Sequence, residues 1–513
     1  MTLKFLSAIK GDRLLQGIFT LPKQWRQHLQ NLPVQIPAGI TVVGLISLGM
    51  TGLIGGIEQV GGIEPLELRA YDWMIRLRPA EQPDPRLLVV TITEADIREQ
   101  QQSILSDQVI AETLAILEQH QPVAIGLDLY RDVPQPPGTA ALQRQLASLN
   151  LIAITNLGTT DADYIPSPPT VPIDRVGFND FPVDADGVVR RSLLFGGDFP
   201  SFSLQLAWKY LATQGIFSTP SPIDPTLIQL DTVTVLPLQS HTGGYQTIDA
   251  RGYQLLLNYR NHQPVAREIT LSQVLHHQFQ PAWIQGKVVL IGTTAPSRKD
   301  LFYTPFSAGQ SSEHQMPGVE IHAQMLSQIL SAVLDRRPLI WSIPEWMDWL
   351  WIALWAGIGG GLAWWIHRPI RLGATCVGVL LLLGITAVGV FQGAGWLPVI
   401  SPALATLLTI GTVVAYRAQQ AHHQHQMVMT LLGQNTSKEI ANALWQNRDT
   451  LINSGKLPGQ RLIATMLFTD IRGFSTISES MPPEALLEWL NEYLEAMIQE
   501  IQRYQGITNK FTG

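Results

Sequence analysis

Four stretches of this sequence are apolar enough and long enough to cross a bilayer, and no other feature constrains its fold as strongly. A membrane-spanning helix needs about 20 residues. Residues 36–57, 349–366, 372–391 and 396–416 meet that requirement. Composition agrees: 15% of the 513 residues are charged, against about 25% in ordinary soluble chains, and the mean hydropathy is +0.12. The connections among the last three stretches are so short that tight antiparallel neighbours are expected. One connection carries His367, Arg368 and Arg371, whereas residues 392–395 are uncharged. The positive-inside rule puts the first inside and the second outside. Lys4, Lys10, Arg13, Lys23 and Arg26 precede the first span, so the N-terminal residues 1–35 are expected in the cytoplasm. A cleaved signal peptide is the rival reading; the basic region is long for one, and no small-residue cleavage site stands out.

This topology places residues 58–348 outside and everything after Tyr416 inside, in a multi-pass protein of an inner or plasma membrane. Trp349, Trp351, Trp355, Trp364, Trp365 and Trp396 stand near span ends, as interfacial aromatics do. Gly52 with Gly56, and Gly357 with Gly361, have the spacing that lets helix backbones approach, although glycine is common in membrane helices generally. The one cysteine, Cys376, falls mid-span as a small apolar filler and excludes an intrachain disulfide. A net charge of −7 gives no reason to expect a nucleic-acid partner.

In the outer segment, apolar β-branched runs at 87–92, 123–127, 151–155, 255–259 and 288–291 read as strands. Helical periodicity appears at 107–119, 203–211 and 319–330. Such alternation predicts an α/β domain with a largely parallel sheet. The runs LELRAYDWMIRLRP (66–79), AIGLDLYRD (124–132), VGFNDFPVDADGVVRRSLLF (176–195), KVVLIGTTAPSRKDLFYTP (287–305) and MPGVEIHAQMLSQIL (316–330) resemble the type-2 CHASE sensor domain. The resemblance implies an extracytoplasmic receptor module, usually followed by three spans, that takes a ligand the sequence does not identify. Asp128 lies just past a strand, where open α/β sheets place ligands. Asp184 and Asp186 belong to a DADG turn; EF-hand spacing is absent, so an Asx-rich turn is expected rather than a calcium loop. Arg190, Arg191, Arg298, Lys299 and Asp300 could line a polar pocket or equally well a solvated face.

Inside the membrane, a connector (417–460) begins with His422, His423 and His425, read as a solvated extension of the last span rather than a metal site. Thr436 with Glu439 fits a capping box, and Ile440, Ala443, Leu444 and Leu451 give that helix an apolar stripe suited to pairing between subunits. Residues 462–468 read as a buried strand. Pro482 and Pro483 open a long helix with Leu486, Leu490, Leu494 and Ile501 on one face, and residues 507–511 read as a second strand.

FTDIRGFSTISE (468–479) followed by GITNKFTG (506–513) resembles the opening of the ferredoxin-like α/β domain of class III nucleotidyl cyclases. The resemblance implies two magnesium or manganese ions, one activating a ribose 3'-hydroxyl for in-line attack on the α-phosphorus of a nucleoside triphosphate, and a homodimer through the cyclase domain and linker helices. By the same resemblance, Asp470 is the first metal carboxylate, Ile471 offers its carbonyl to a metal, and the Gly473 and Phe474 amides face phosphate. Arg472 occupies a variable, surface position. Lys510 aligns with the base-recognition position. Lysine cannot accept from the N1 and N2 donors of guanine, which favours ATP over GTP; a strand-edge surface lysine is the competing reading. The family pattern continues past Gly513 to the second metal aspartate, so residues 461–513 are expected to be an incomplete catalytic domain, inactive alone. The overall expectation is an α/β extracytoplasmic sensor, four transmembrane helices and the start of an α/β cyclase domain making cyclic AMP. The alternative is a noncatalytic transmembrane sensor that signals through protein contacts. A histidine kinase is disfavoured because no Asn- and Gly-rich ATP-binding boxes occur.

Overall fold

The computed structural model describes residues 38–433, apart from 103, 159, 161, 223, 263 and 308–314, together with 465–504, 506 and 508. Its contacts divide the chain into two units, Met1–Val413 and Val414–Gly513.

The first unit opens with helix α1 (Ala38–Gln59) and a second helix, α2 (Glu64–Leu77), started by Pro65 in its first turn. The outer domain then runs β1 (Leu87–Ile92), α3 (Asp107–Glu118), β2 (Ala124–Leu127), α4 (Thr139–Leu146), β3 (Leu151–Thr155), β4 (Val176–Phe178), β5 (Arg191–Gly196) and α5 (Phe202–Thr213). It closes with β6 (Tyr253–Leu256), β7 (Arg267–Thr270), β8 (Val288–Thr293) and α6 (Gly318–Leu334). Six strands form one sheet in the order β7-β1-β8-β2-β3-β4, and every pairing in it is parallel. The expected strand at 255–259 is instead β6, which ends at Leu256 and pairs antiparallel with β5 beside the main sheet.

Strand alternation explains the continuous apolar runs, because both faces of the sheet are covered. Leu87, Val89, Ile152, Ile154, Val288 and Leu290 pack on one face with α5 and α6. Leu88, Val90, Ile125, Leu151, Val289 and Ile291 pack on the other with α3 and α4. The helix after β2 therefore lies on one face and the helix after its neighbour β8 on the opposite face, which makes the carboxyl ends of these two strands a topological switch point.

Below the sheet, α2 and residues 387–396 share a core in which Tyr71 packs on Phe391 and Trp396, with ring centroids 5.5 and 4.7 Å apart. Trp396 is fully buried here rather than interfacial, and the last span begins at Ile400 rather than at 396. The reason is local: residues 395–396 pair with Trp341–Ser342, and Pro398 delays the helix.

Three helices among the described residues are long and apolar enough to cross a membrane: Gly39–Gln59, Pro369–Gln392 (α8) and Ile400–Met427 within α9 (Ile400–Gly433). The remaining expected stretch forms helix α7 (Glu345–Trp365), with two acids in its first turn. Ile54, Ile352, Ala356 and Ala405 join α1, α7 and α9 in one cluster, while Leu45, Leu48, Leu350, Leu354, Leu381 and Ile385 face outward. The outward face suits lipid. Glycines do allow close approach, but not the expected pairs. A Cβ on Gly359 or Gly360 would come within 3 Å of α9 side chains, whereas Gly52, Gly56, Gly357 and Gly361 face open space.

In the second unit, helix α9 runs on to Gly433, with His422 and His423 exposed as expected. Residues 434–464 lie outside the described residues, and with them the capping box and apolar stripe of the connector. Residues 465–468 are not a strand: Met466, Leu467 and Phe468 are each more than three-quarters exposed. A buried strand needs sheet partners, and the described part of this unit contains helices only, α9, α10 (Phe474–Ser480) and α11 (Pro483–Arg503). Helix α11 starts at the expected proline, and its apolar positions 486, 490, 494 and 501 are half-buried. The expected strand at 507–511 and Lys510 lie outside the described residues, Thr508 excepted.

Candidate functional site

The sequence-level candidates fall into separate places. Asp128 stands at the switch point with Asp300 near it; Asp184, Asp186 and Arg190 come together elsewhere, consumed by one another.

Asp128 follows β2, held there by its N–H donating to the Ile291 carbonyl of β8 at 2.8 Å. Asn179, just past β4, donates to Asp128 Oδ1 at 3.4 Å and accepts from the Tyr130 hydroxyl at 2.9 Å. After β8 the chain brings Asp300 against the start of α6. A Cβ on Gly318 would sit 2.7 Å from both Asp300 oxygens, so glycine is required for that approach. One turn along α6, His322 is buried between the edges of Phe181 and Phe202, and its Nδ1 lies 3.3 Å from the Ser203 hydroxyl. Burial pushes the Asp128 carboxyl up to about 6. Burial, together with the charge on Asp128, does the same for Asp300, also to about 6. Burial pulls the His322 imidazole down to about 4, against the attraction of Asp300. Carboxyls shifted towards neutral pH and a neutral imidazole at the carboxyl ends of parallel strands can donate and accept hydrogen bonds to a polar ligand. Among the described residues, no group of His, Cys, Asp or Glu is arranged to hold a metal ion.

The DADG turn is the expected Asx turn: Asp186 Oδ1 accepts from the Val188 amide, and Gly187 takes a left-handed φ of 81°. Its acids do not face a ligand. Arg190 is fully buried and forks onto Asp72 of α2 with Nε–Oδ1 and Nη2–Oδ2 distances of 2.7 and 2.8 Å. The same guanidinium reaches Asp184 at 2.8 Å and Asp186 at 2.6 Å. Arg191 and the Tyr245 hydroxyl complete Asp184. Burial works against the charge on Arg190, yet its hydrogen bonds to Asp72 and Asp186 outweigh it and hold the guanidinium well above its ordinary value. This cluster ties the sheet domain to α2, the helix that follows α1. Arg191 likewise serves inside the fold, whereas Lys299 is exposed. The sequence reading missed Asp72, although it lies in the quoted run 66–79. The available signal was an acid on the apolar side of an amphipathic helix, beside Leu68, Tyr71 and Ile75.

In the second unit Asp470 is exposed, and Arg472 is exposed as expected. Gly473 takes φ 74° and caps α10. The Phe474 amide donates to the Ile471 carbonyl at 3.3 Å, so two groups assigned to phosphate and metal engage each other. The described residues thus do not compose a two-metal site.

Uncharacterized protein Rv1318c of Mycobacterium tuberculosis is 29% identical over 90 residues, 18% of this chain and 16% of its own. Uncharacterized protein Mb1352c of Mycobacterium bovis matches to the same extent, and uncharacterized protein Rv1319c of M. tuberculosis is 27% identical over 90 residues, again 18% of this chain and 16% of its own. The alignments thus span about a sixth of these curated relatives' length. No solved structure matches. The CHASE2 domain matches over residues 41–361, from α1 through the entire parallel sheet and into α7; the chain belongs to the CHASE2 domain family.

Proposed function

We propose that this chain is the receptor end of a membrane adenylate cyclase. The observation that carries the reading is order along the chain: a CHASE2 domain that takes in α1 and reaches into α7, further apolar helices, then FTDIRGFSTISE. In this reading α1, α7, α8 and α9 all cross the bilayer, the sheet lies outside, and both termini are cytoplasmic. A polar extracytoplasmic ligand binds at the switch point around Asp128 and Asp300. Two copies pair through the connector and cyclase segments, and the completed domain converts ATP to cyclic AMP and pyrophosphate. Asp470 serves as the first carboxylate for magnesium or manganese, and Lys510 faces adenine.

The test uses the full-length gene product in native membranes supplied with ATP and manganese. Cyclic AMP forms, and Asp470→Ala abolishes it while membrane insertion is unchanged. Equal cyclic AMP formation by Asp470→Ala would overturn the assignment. Absence of any cyclisation by a correctly inserted protein would favour a noncatalytic sensor, a reading supported by the Ile471–Phe474 hydrogen bond.

A further inference from the structure

The sensor end of the membrane helices holds a second group of acids, three of them buried and Glu345 exposed, unlike the Arg190 cluster in one respect. Glu58 ends α1, Glu67 sits on α2, and Glu345 and Asp348 begin α7. Among the described residues, none of the four has a lysine or arginine within ion-pair distance, in contrast to Asp72 and Asp184. Asp348 is 8% exposed, and its Oδ1 has no hydrogen-bond partner. It lines a cavity of about 20 Å³ together with Glu58, Gln59, His241, Gln246 and Glu345. That is room for a single water-sized species.

The surrounding elements say what charge here would do. From α1, Glu58 accepts from the Ser401 hydroxyl at 3.1 Å. From α2, Glu67 accepts the Val399 and Ser401 amides at 3.0 and 2.8 Å, so it caps the last membrane helix, α9. Glu64, further out on α2, is occupied by the Gln246 amide at 2.9 Å. The remaining titratable neighbours are Glu345 on α7 itself and the exposed His241, whose Nδ1 lies 2.8 Å from the Ser240 hydroxyl. Helix α9 contributes hydroxyl and amide donors but no charge. An ionised Asp348 would therefore be surrounded by like charge and left without a donor.

We propose that this cavity is a proton-binding site, in which a neutral Asp348 lets α7 pack against α1 and the first turn of α9, and loss of its proton loosens that junction. The proton released goes to water through the cavity mouth at Gln59 and His241. Because Glu67 and Glu58 hold the start of α9, repulsion from Asp348 acts directly on the helix that continues to Gly433. The proposal does not depend on what the segment after that helix does.

The test is hydrogen exchange of the full chain in lipid nanodiscs from about pH 5 to about pH 9, corrected for intrinsic rates. Amides in the first turns of α7 and α9 should lose about tenfold protection as pH rises, while those of β1 stay constant. Asp348→Asn, the same shape without a proton to lose, should keep the low-pH protection throughout. Glu58→Gln removes a neighbouring charge and should move the midpoint to lower pH, which keeps the test decisive if Asp348→Asn does not fold. Unchanged pH dependence in both variants, or none in the unsubstituted chain, overturns the proposal. So does protection that responds to added calcium or magnesium at constant pH but not to pH.

Discussion

Helix α2 carries two buried acids less than two turns apart, and they are treated in opposite ways. Asp72 is matched by a guanidinium that also collects Asp184 and Asp186. Glu67, less than two turns earlier, has no cation and is satisfied by the backbone amides of Val399 and Ser401. Burial alone raises Glu67 above the ordinary carboxylate range, and the amides of α9 partly offset it. The first arrangement locks α2 to the outer domain through charge pairing. The second attaches it to a membrane helix through donors whose strength depends on the charge of the acid. Within two turns, α2 is thus held to the sheet domain by charge pairs and to α9 by hydrogen bonds that depend on the charge of one acid.

The comparison breaks most severely at Arg190. Replacing it with Met leaves Asp72 buried without a counter-charge and Asp184 with Arg191 alone, bringing the first cluster closer to the second. The expected loss is about 3–5 kcal/mol, read from the chemical-denaturation midpoint of the detergent-solubilised chain. A loss smaller than that of an ordinary surface substitution would show that α2 is not anchored there.

Asp128 offers a third environment, a buried acid with only a weak amide partner. Its folded value of about 6 lies above the unfolded value of about 3.9, so the folded state holds an extra proton between them. The stability this contributes is present below about pH 4 and lost as pH rises through 6, as it is for Asp300. His322 acts with the opposite sign: its folded value of about 4 lies below 6.5, so its contribution is present at higher pH and lost as pH falls. Asp128→Asn should remove one of two carboxyl contributions and flatten the fall in stability between pH 4 and 6 by about 2–3 kcal/mol. Thermal unfolding across that range measures it; an unaltered slope would mean that Asp128 is not buried in its acid form.

The smallest effect is expected at Glu67. Glu67→Ala leaves two amides at the start of α9 uncapped and should cost about 1–2 kcal/mol, with faster hydrogen exchange confined to the first turn of that helix. Exchange that quickens equally along the parallel sheet would instead make Glu67 part of the global core.

Much of the outer domain was legible because its strands are buried on both faces. The runs at 87–92 and 151–155 appear at those bounds, and the helix at 107–119 within a residue. The strand at 255–259, and residues 465–468 of the one at 462–468, were misplaced for a shared reason: apolar character marks burial, but pairing partners decide whether a segment is a strand. Asp128 was legible from its position past a strand. Asp300 was legible only as one of several charges that could line a polar pocket, and His322 was not legible, since they arrive from the segment after β8 and from α6, far along the chain. The glycines at open positions and those in helix contact look alike in sequence, because spacing does not tell which face meets a neighbour.

The sequence by itself determined which long apolar stretches form helices, that the domain between them holds a parallel α/β sheet, and which acids lie beside strands and turns. These depend on periodicity, length and local turn chemistry, all carried within a few residues. Only the tertiary structure decided which acids are compensated. Arg190 and Asp72 are 118 positions apart, and Glu67 and Ser401 are 334 apart. A buried carboxylate acquires its chemistry from whatever the fold brings within about 4 Å of it, and no local pattern records that partner.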